Sequence, residues 1–457
     1  MRNYLIEGSY FLASILFILG LRGLSHPETA RRGMHLAEFG MLMAIIGTLM
    51  HREIVSYEWI IAGLLIGSAI GTGIGLWVPM TAMPQRTAFS HAFGAFAAAL
   101  VGVSEYSLHG ASLSKFTMGA LGFDVLLGSL TTTGSLIAFA KLQGMLPGRP
   151  LTYKGQNIFN LSLLGVIILA FVVLIFQPGA TFLFYLMLIL SLVFGVLLVL
   201  PIGSADMPVV IALLNAYAGL ASAAIGFAIS NNVLIIAGTL DGGSGLILSI
   251  VMCRAMNRSI TGVLFGAFGK VSDTKASSEA GAMREANVED FATQLAYARQ
   301  VVFVPGYGMA TAQAQHALRE LTTALEEAGV TVKFAIHPVA GRMPGHMNVL
   351  LAEANIPYSQ LYELEQINSD FPATDVAVVV GANDVVNPDA RDNSSSPIAG
   401  MPILEVDRAK RVVVLKRGSG KGFSGLENPL FIKPNCEMLY GDAKESLAHL
   451  TQAVLKV

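Results

Sequence analysis

The sequence predicts a polytopic all-α transmembrane bundle of about nine helices, followed by a cytoplasmic α/β Rossmann-like domain with a parallel sheet. Residues 1–270 form a series of long apolar stretches with few charges, whereas the rest of the chain has a mixed composition. In that second part, the strand-length apolar run 301–304 leads directly into a glycine turn. The domains expected are therefore 1–260 in the membrane, a linker over 261–290, and a nucleotide-type domain over 291–457.

Composition narrows the class of protein. Charged residues make up 13% of the 457 residues, about half the usual share for soluble proteins. A net charge of -2 without a basic face argues against nucleic-acid binding. Cys253 and Cys436 fall in different parts of the chain, so we expect no disulfide. The first apolar run is interrupted by Glu7 and lacks a cleavage pattern, which predicts a retained span rather than a signal peptide.

Each predicted span has roughly the 20 apolar residues that a bilayer requires. Only Ser230-Asn231 separates the last two spans, so that boundary is soft. The predicted spans are 4–24, 33–50, 58–78, 86–108, 119–141, 157–176, 180–201, 206–229 and 231–253.

The distribution of Lys and Arg predicts the orientation in the membrane. With the N-terminus in the periplasm, the outer side receives only Arg2, Arg52 and Lys115. This bias agrees with the positive-inside rule and places the C-terminal domain in the cytoplasm. The cytoplasmic side then receives Arg22, Arg31, Arg32, Arg86, Lys141, Arg149, Lys154, Arg254, Arg258 and Lys270.

Placing a polar group inside a membrane span costs free energy, so such groups usually face a hydrogen-bonding partner or a water-filled cavity. An unperturbed histidine titrates near pH 6.5, so His91 could carry a proton; alternatively it snorkels to the interface or bonds a neighbouring helix. Asn215 could order water or simply join two helices. The glycine-rich run 241–245 indicates either a helix break or a loosely packed crossing. The full set is Glu38, His91, Asp124, Asn215 and Asp241, with Asp206 at the start of the eighth span.

A glycine stripe in the third predicted span has the spacing of one helix face. Its members recur every four positions, which predicts close packing of helix backbones. They are Gly63, Gly67, Gly71 and Gly75.

Strand-length apolar runs recur in the cytoplasmic part at 301–304, 330–336, 376–380 and 412–415. Helical patterns lie between them, including Ala310–Ala328 and Met347–Ala354. Such alternation is typical of a parallel sheet covered by helices, and the length suits one doubly wound domain.

The turn Gly306-Tyr307-Gly308 follows the first strand and opens a helix, as a pyrophosphate-binding turn does. Its third glycine is replaced by Thr311, so a plain tight turn stays an alternative. The string 420–425 fits the glycine pattern better. However, Asn428-Pro429 follows it and no long helix begins there, which favours a mobile loop.

The strand ends indicate which dinucleotide would bind. No acid ends the second strand at 336–338, where an NAD site usually carries one. Lys416-Arg417 end the last strong strand and suit a 2′-phosphate, which favours NADP; a solvated strand end is the alternative. Two further segments have the composition of ligand loops: 337–346, and 381–384, which could also be a simple turn.

Taken together, these residues resemble the beta subunit of proton-translocating NAD(P) transhydrogenase along nearly the whole chain. Several runs in the right order are more specific than any single motif. They are GSADMPVVIALLNAYAG from 203, VPGYGMATAQAQ from 304, IHPVAGRMPGHMNVLLAEA from 336, VVGANDVVNP from 379, SPIAGMPILEV from 396 and NPLFIKPNCEMLYGDAK from 428.

The resemblance implies an NADP(H)-binding domain over 291–457, with the cofactor reversed relative to ordinary Rossmann enzymes, and a proton-conducting membrane domain. No side chain is expected to act as a catalytic group, because hydride passes directly between cofactors, and no metal is implied. The proton pathway would use His91, Asp206 and Asn215. The implied cofactor-binding residues are Gly306, Tyr307, Gly308, Val339, Ala340, Gly341, Arg342, Met343, Pro344, Gly381, Ala382, Asn383, Asp384, Val385, Lys416, Arg417, Gly418, Phe423, Asp442 and Ala443, of which Asn383 and Asp384 would lie near the nicotinamide.

Three positions depart from the family pattern. Gly418 stands where a serine is usual, Phe423 where a tyrosine is frequent, and Asp241 where an uncharged residue is expected. These departures concern the contacts of the lid over the cofactor and the proton route.

The function implied is that of a Re/Si-specific, proton-translocating NAD(P)⁺ transhydrogenase in the cell inner membrane. NAD(H) would bind an alpha subunit, without which this chain is inactive, and a homodimer of alpha–beta units is expected. An ion transporter or channel with a nucleotide-sensing domain is the alternative function. No selectivity element of the carbonyl-filter kind supports that alternative.

Overall fold

The computed structural model describes residues 2–457 except 52, 53, 55, 149, 205, 266–282, 397, 419–421 and 423. Most of the predicted linker therefore lies outside the described residues. The chain divides into two compact units. The first comprises Met1–Pro79, Gln85–Ile202 and Val210–Ser249, and the second comprises Met80–Pro84, Gly203–Val209 and Ile250–Val457.

Nine long helices coincide with the nine predicted spans. Eight of these described helices are long and apolar enough to cross a membrane. The exception is the second, whose first half carries Arg31, Arg32 and His35. The helices are α1 (Arg2–Gly23), α2 (Pro27–Leu49), α3 (Glu58–Trp77), α4 (Met83–His109), α5 (Lys115–Leu142), α6 (Gln156–Phe176), α7 (Thr181–Val199), α8 (Met207–Ala228) and α9 (Asn232–Ala255).

Helix α5 is largely buried within the first unit, and it packs against α6 and α7. Its N-terminus is capped by Ser114, whose hydroxyl accepts the Thr117 N–H at 3.1 Å. Near its other end, the buried Lys141 donates to the backbone carbonyls of Leu200 and Ile202. Since Leu200 directly follows α7, the lysine satisfies carbonyls that a helix end otherwise leaves unpaired.

Glycines allow helices α8 and α9 to approach closely. A side chain at Gly242 would come within 3.2 Å of the Ala216 carbonyl, and one at Gly245 within 2.8 Å of the Ala216 nitrogen. Helix α9 continues through the run 241–245 without a break, so this run forms a close crossing with α8. The stripe on α3 behaves differently, because a Cβ at any of its four glycines would meet no described atom within 4 Å. The predicted close packing there is therefore wrong within this chain.

The second unit is built on a six-stranded, all-parallel sheet of order β3-β2-β1-β4-β5-β6. This is the order of a doubly wound fold, with its switch point between β1 and β4. The strands are β1 (Gln300–Pro305), β2 (Thr331–Ile336), β3 (Leu361–Glu363), β4 (Val376–Val380), β5 (Arg411–Lys416) and β6 (Cys436–Tyr440). The helices are α10 (Ile260–Phe265), α11 (Val288–Ala296), α12 (Tyr307–Thr311), α13 (Gln315–Glu327), α14 (His346–Glu353), α15 (Leu364–Ile367), α16 (Asp389–Asp392) and α17 (Ala443–Val454).

The central strands are buried on both faces, as their continuous Val-rich sequences predict. One apolar layer includes Phe303, Phe334 and Leu321, and the layer on the other face includes Val379 and Phe371. Each layer buries apolar side chains that would otherwise face water, and this burial stabilises the sheet. The four predicted strands are confirmed, while β3 and β6 were not among the predictions.

Candidate functional site

Two glycine turns interlock at the carboxyl ends of β1 and β4, which is the switch point of the sheet. The Gly308 N–H donates to the Gly381 carbonyl at 2.9 Å. A Cβ on Gly306 would lie 2.5 Å from the Cα of Ala382, and one on Gly308 would lie 2.6 Å from the Cα of Gly381. Gly381 itself has φ +69, a conformation that favours glycine. The glycines thus allow the two backbones to touch at the sheet edge, and these interlocked turns at Gly306, Gly308 and Gly381 are called the cradle below.

The helix after the first glycine turn is shorter than predicted. Helix α12 covers only Tyr307–Thr311. Gln313, with φ 50, interrupts the helical conformation before α13 begins. The single helix predicted over Ala310–Ala328 is therefore wrong at its start. A left-handed residue breaks the helical ladder, although the hydrophobic pattern continues across it.

Two buried histidines hold the loop that follows β2. The Val339 N–H donates to His337 Nδ1 at 3.2 Å, and the Arg342 N–H donates to His346 Nδ1 at 3.1 Å. His337 Nε2 lies 2.7 Å from the Pro402 carbonyl, which accepts its proton. Burial lowers the pKa of each histidine to about 4. Both rings are therefore neutral near pH 7, and Nδ1 of each can accept a backbone N–H.

Stacking joins this loop to the glycine turn. The Arg342 guanidinium lies 4.2 Å from the centre of the Tyr307 ring, a cation–π arrangement. Burial lowers the pKa of Arg342 and raises that of Tyr307. Gly341 has φ +112, so this position also favours glycine. The structure thus brings together two of the segments predicted to bind a cofactor, with a cation between them.

The histidine contacts predict a pH dependence. Because both pKa values fall below the usual 6.5, the unfolded chain binds more protons than the folded chain between pH 6.5 and about 4. We expect thermal stability and NADP⁺ affinity to be level above pH 6.5 and to fall as pH drops towards 4. Thermal melts and NADP⁺ titrations of the full chain across this range measure both. The variant His346→Asn keeps a hydrogen-bond acceptor near the position of Nδ1 but does not titrate, so its stability should fall less steeply. If the variant has the same pH profile as the unsubstituted protein, His346 is not responsible for the fall.

Asn383 and Asp384, after β4, contact a segment downstream of β5. The Ser424 N–H and hydroxyl donate to the two carboxylate oxygens of Asp384 at 2.9 and 2.7 Å. The Asn428 amide donates to Asn383 Oδ1 at 3.0 Å. In the described part, no long helix starts in the 422–428 segment, which agrees with the predicted loop. Phe423 lies outside the described residues.

The predicted phosphate cations lie at the end of β5. Arg417 is exposed, whereas Lys416 is half-buried with its ammonium 4.6 Å from the centre of the Phe431 ring. Burial lowers the pKa of Lys416, and the nearby Asp384 raises it. The Gly441 N–H donates to the Lys416 carbonyl at 3.1 Å, which places the start of α17 beside this strand end.

Asp442 and Ala443 have a clear local role at that helix start. Asp442 caps α17 by accepting the Lys444 N–H at 3.0 Å, and Ala443 is buried in the core. A cofactor contact at these two positions remains a prediction, because the capping bond is a sufficient reason for an aspartate here.

We expect Gly308→Ala to weaken NADP⁺ binding by more than tenfold. Its Cβ would meet backbone rather than a flexible side chain, so the β1 and β4 turns must separate. The control is Gly329→Ala, where φ +84 strains the fold but no described atom lies within 4 Å of the new Cβ. Calorimetric titration should show normal affinity in the control despite its lower melting temperature. Equal affinities in both variants would contradict the cradle.

In the membrane part, Asn215 and Asp241 are hydrogen-bonded. The Asn215 amide nitrogen donates to Asp241 Oδ1 at 3.0 Å, joining α8 to α9. His91 Nδ1 is buried without a hydrogen-bond partner among the described residues. The structure thus brings Asn215 to the carboxylate of Asp241, a contact that the sequence did not predict.

Asp206 is paired differently. Its carboxylate oxygens accept from Arg258 Nη1 at 3.0 and 3.1 Å. The pair ties the residue before α8 to the segment after α9.

Sequence reasoning missed several polar residues near these sites. Ser424 and Asn428 attach the downstream segment to Asn383-Asp384, and the serine of the 420–425 string was the available signal. In α5, Thr131 and Ser135 are fully buried, and their hydroxyls have no partner among the described residues. Their signal was the run of serine and threonine residues over 129–135 in a largely apolar span.

Comparison with known proteins gives the family. A sequence profile described as NAD(P) transhydrogenase beta subunit matches residues 6–453. The chain belongs to the NAD(P) transhydrogenase beta-subunit family. It is 46% identical to the NAD(P) transhydrogenase subunit beta of Rhodospirillum rubrum, over 99% of this chain and 100% of that protein. A second sequence of that name, from a designated strain of the same organism, matches to the same extent.

Family membership confirms the resemblance drawn from the sequence motifs. The chain is a transhydrogenase beta subunit with membrane-spanning helices and a Rossmann-like parallel sheet. The family uses NADP(H) and NAD(H), and a beta subunit implies an alpha-subunit partner. Between the two functions considered from sequence, membership favours the oxidoreductase over a transporter that only senses a nucleotide.

Proposed function

We propose that this chain binds NADP(H) in its sheet domain and couples hydride exchange with NAD(H) to proton movement across the membrane. NAD(H) binds the alpha subunit, without which this chain does not turn over. The exchange is Re/Si-specific, and two alpha–beta units form the working complex. The chain lies in the cell inner membrane, with its N-terminus in the periplasm and its sheet domain, 291–457, in the cytoplasm.

The interlocked glycine turns at the switch point carry the NADP(H) assignment. This cradle lies at the switch point, outside the carboxyl ends of β1 and β4, where doubly wound sheets bind dinucleotides. Arg342 stacks beside this cradle, and Arg417 is exposed at the end of β5. Two arginines at one sheet edge match a ligand with phosphate groups at two places. The residues present therefore fit NADP(H).

The residues of this chain bind and position rather than react. When bound, the cofactor supplies the hydride chemistry, so the protein needs no nucleophile or acid–base group at that point. Asn383 and Asp384 lie near the nicotinamide, and the segment that Ser424 attaches to Asp384 excludes water there. The other binding residues are Val339, Ala340, Met343, Pro344, Ala382, Val385, Gly418, Phe423, Asp442 and Ala443.

The proton path runs through the membrane domain, 1–260, by way of His91, Asn215 and Asp206. His91 takes up and releases the proton, and Asn215 orients water and Asp241 around it. The ion pair Asp206–Arg258 joins the residue before α8 to the segment after α9, so a relative movement of these segments would break it. The predicted linker, 261–290, allows the sheet domain to change its conformation during this coupling.

One segment supports the coupling between proton and cofactor. Residues Met80–Pro84 belong to the same compact unit as the sheet domain. The turn Met80–Ala82 contacts α14, and Met80 packs against the sheet core. This segment leads into α4, the helix that carries His91. A change at His91 could thus reach α14, the helix after the 337–346 loop, along the chain of α4 and through the packing of Met80–Ala82.

Reconstitution with the alpha subunit in sealed vesicles tests the proposal. Hydride exchange between NADH and an oxidised NADP analogue is followed by absorbance, and internal pH by a trapped dye. We expect the internal pH to change with each turnover, and an ionophore to remove that change while exchange continues. Exchange without any pH change would refute the coupling.

A further inference from the structure

We propose that Asp124 is a proton-binding group of the membrane domain, placed in the half of the helices opposite to His91. This inference rests on the proposed proton translocation, and it adds a proton site that the proposed pathway lacks. It stands on three observations: the complete burial of the carboxyl, its lack of partners, and its alignment with other unpartnered hydroxyls.

Asp124 is the one fully buried acid within the described helices α1–α9. Its exposed fraction is 0%. Neither carboxylate oxygen has a hydrogen-bond partner among the described residues. An ionised carboxylate in such a place is strongly unfavourable, because nothing replaces the hydration that it loses. The group is therefore stable there only when it holds a proton or is reached by water.

The neighbouring helix is shaped around this side chain. A Cβ on Gly102 of α4 would overlap Asp124 Oδ2. Four residues further along α5, a Cβ on Gly128 would lie 3.0 Å from the Ala95 carbonyl. The two helices therefore run antiparallel in close contact, and Asp124 occupies a pocket that exists because position 102 has no side chain.

The surroundings of Asp124 offer no charge to neutralise it. On α4, the nearest titratable groups beyond Gly102 are Tyr106, bonded to the Pro178 carbonyl, and Glu105, paired with His109. Helices α6 and α7, which pack on α5, carry no Asp, Glu, Lys, Arg or His, and their one tyrosine is Tyr185. The charges of α5 itself, Lys115 and Lys141, lie at its two ends.

Hydroxyls extend from Asp124 towards the level of His91. Thr131 and Ser135 follow Asp124 by seven and eleven positions, which places them on the same face of α5 as Gly128. Both are fully buried, and their hydroxyls lack partners among the described residues. His91 lies eleven positions before Gly102 on α4, a distance of about 16 Å along the helix. Proton passage over that distance requires water, and these hydroxyls would order it.

The chemistry is a simple proton relay. A hydronium ion entering from the side of the α4–α5 connection gives its proton to the Asp124 carboxylate and leaves as water. The carboxylic acid then gives the proton to the water ordered by Thr131 and Ser135, and returns to carboxylate. No electron pair or leaving group is involved.

The test compares Asp124→Asn with Glu105→Gln in vesicles that contain the alpha subunit. The amide has the shape of the acid but cannot carry a proton, whereas Glu105→Gln removes a carboxylate from the same helix pair outside the buried line. We expect proton transport in Asp124→Asn to fall at least tenfold, with NADP⁺ affinity unchanged and the Glu105→Gln variant normal. The infrared carbonyl band of a protonated carboxylic acid should be present in the unsubstituted protein and lost in Asp124→Asn. Wild-type proton transport in Asp124→Asn would overturn the inference.

A second variant, and the unsubstituted protein itself, provide the remaining controls. If Asp124→Asn does not accumulate in the membrane, Thr131→Val decides: a fall of about threefold or more in transport supports the relay, and a wild-type rate overturns it. If the unsubstituted protein exchanges hydride without moving protons, the proposed function fails, and this inference fails with it. That outcome is seen before any variant is compared, so the two failures are distinguishable.

Discussion

Proton-coupled formation of NADPH should fall about a hundredfold or more in His91→Ala, because positioned acid–base groups typically contribute 10²–10⁴ in rate. The imidazole of His91 can bind and release a proton, whereas the amide of Asn215 cannot titrate. The sheet domain should still bind NADP⁺, because none of its cofactor residues is altered. The measurement is vesicle proton transport alongside NADP⁺ titration of the same preparation.

The matched control for His91→Ala is His109→Ala. His109 lies on the same helix α4 but is exposed and pairs with Glu105 at 2.9 Å. Exposed ion pairs contribute little to stability, so this variant should transport protons normally. If His91→Ala retains full coupling, His91 has no part in the mechanism, and the carboxylates of Asp241 and Asp124 would have to carry the proton without it.

Arg417→Ala should weaken NADP⁺ binding by about ten- to a hundredfold, which corresponds to the roughly 1.5–3 kcal/mol of a hydrogen bond to a charged group. Binding of NAD⁺ to the same chain should hardly change, because NAD⁺ lacks the 2′-phosphate that this arginine would hold. The affinity ratio between the two dinucleotides is therefore the quantity to measure, by titration calorimetry on the full chain.

Arg299→Ala controls for the general loss of positive charge. Arg299 is a similarly exposed arginine, and it precedes β1 at the opposite edge of the sheet. Its removal should leave the ratio of NADP⁺ to NAD⁺ affinity unchanged. Equal weakening of both dinucleotides in Arg417→Ala would defeat the 2′-phosphate assignment and leave Lys416 as the remaining cation at that strand end.

Much of the fold was predictable because the apolar patterns that indicate spans and strands are long or recur along the chain. Nine apolar stretches became nine helices, since a bilayer span requires an unbroken apolar run. The Val-rich runs predicted four strands, because buried parallel strands carry apolar residues on both faces. Strands β3 and β6 were missed since Leu361–Glu363 is only three residues long and Cys436–Tyr440 includes Glu437, which pairs with Arg411 at the surface.

The sequence indicated the segments of the candidate site one by one, but it did not indicate their arrangement. The glycine turn and the Lys-Arg pair have local signatures, whereas the contact of Gly308 with Gly381 joins segments far apart in the chain. The roles of His337 and His346 depend on which ring nitrogen faces the loop. Likewise, nothing local shows that Asn215 meets Asp241 or that Asp124 has no partner. Such facts follow from tertiary packing alone.

The central claim is that a proton gradient sets the ratio of reduced to oxidised NADP. One charge crossing a potential of about 150 mV corresponds to roughly 3.5 kcal/mol, which shifts an equilibrium by a few hundredfold. The decisive measurement imposes this potential on sealed vesicles with both subunits and follows the final ratio of NADPH to NADP⁺ at fixed NADH and NAD⁺. We predict that the ratio rises by two to three orders of magnitude and returns when an ionophore is added. A final ratio that is the same with and without the potential would contradict the account.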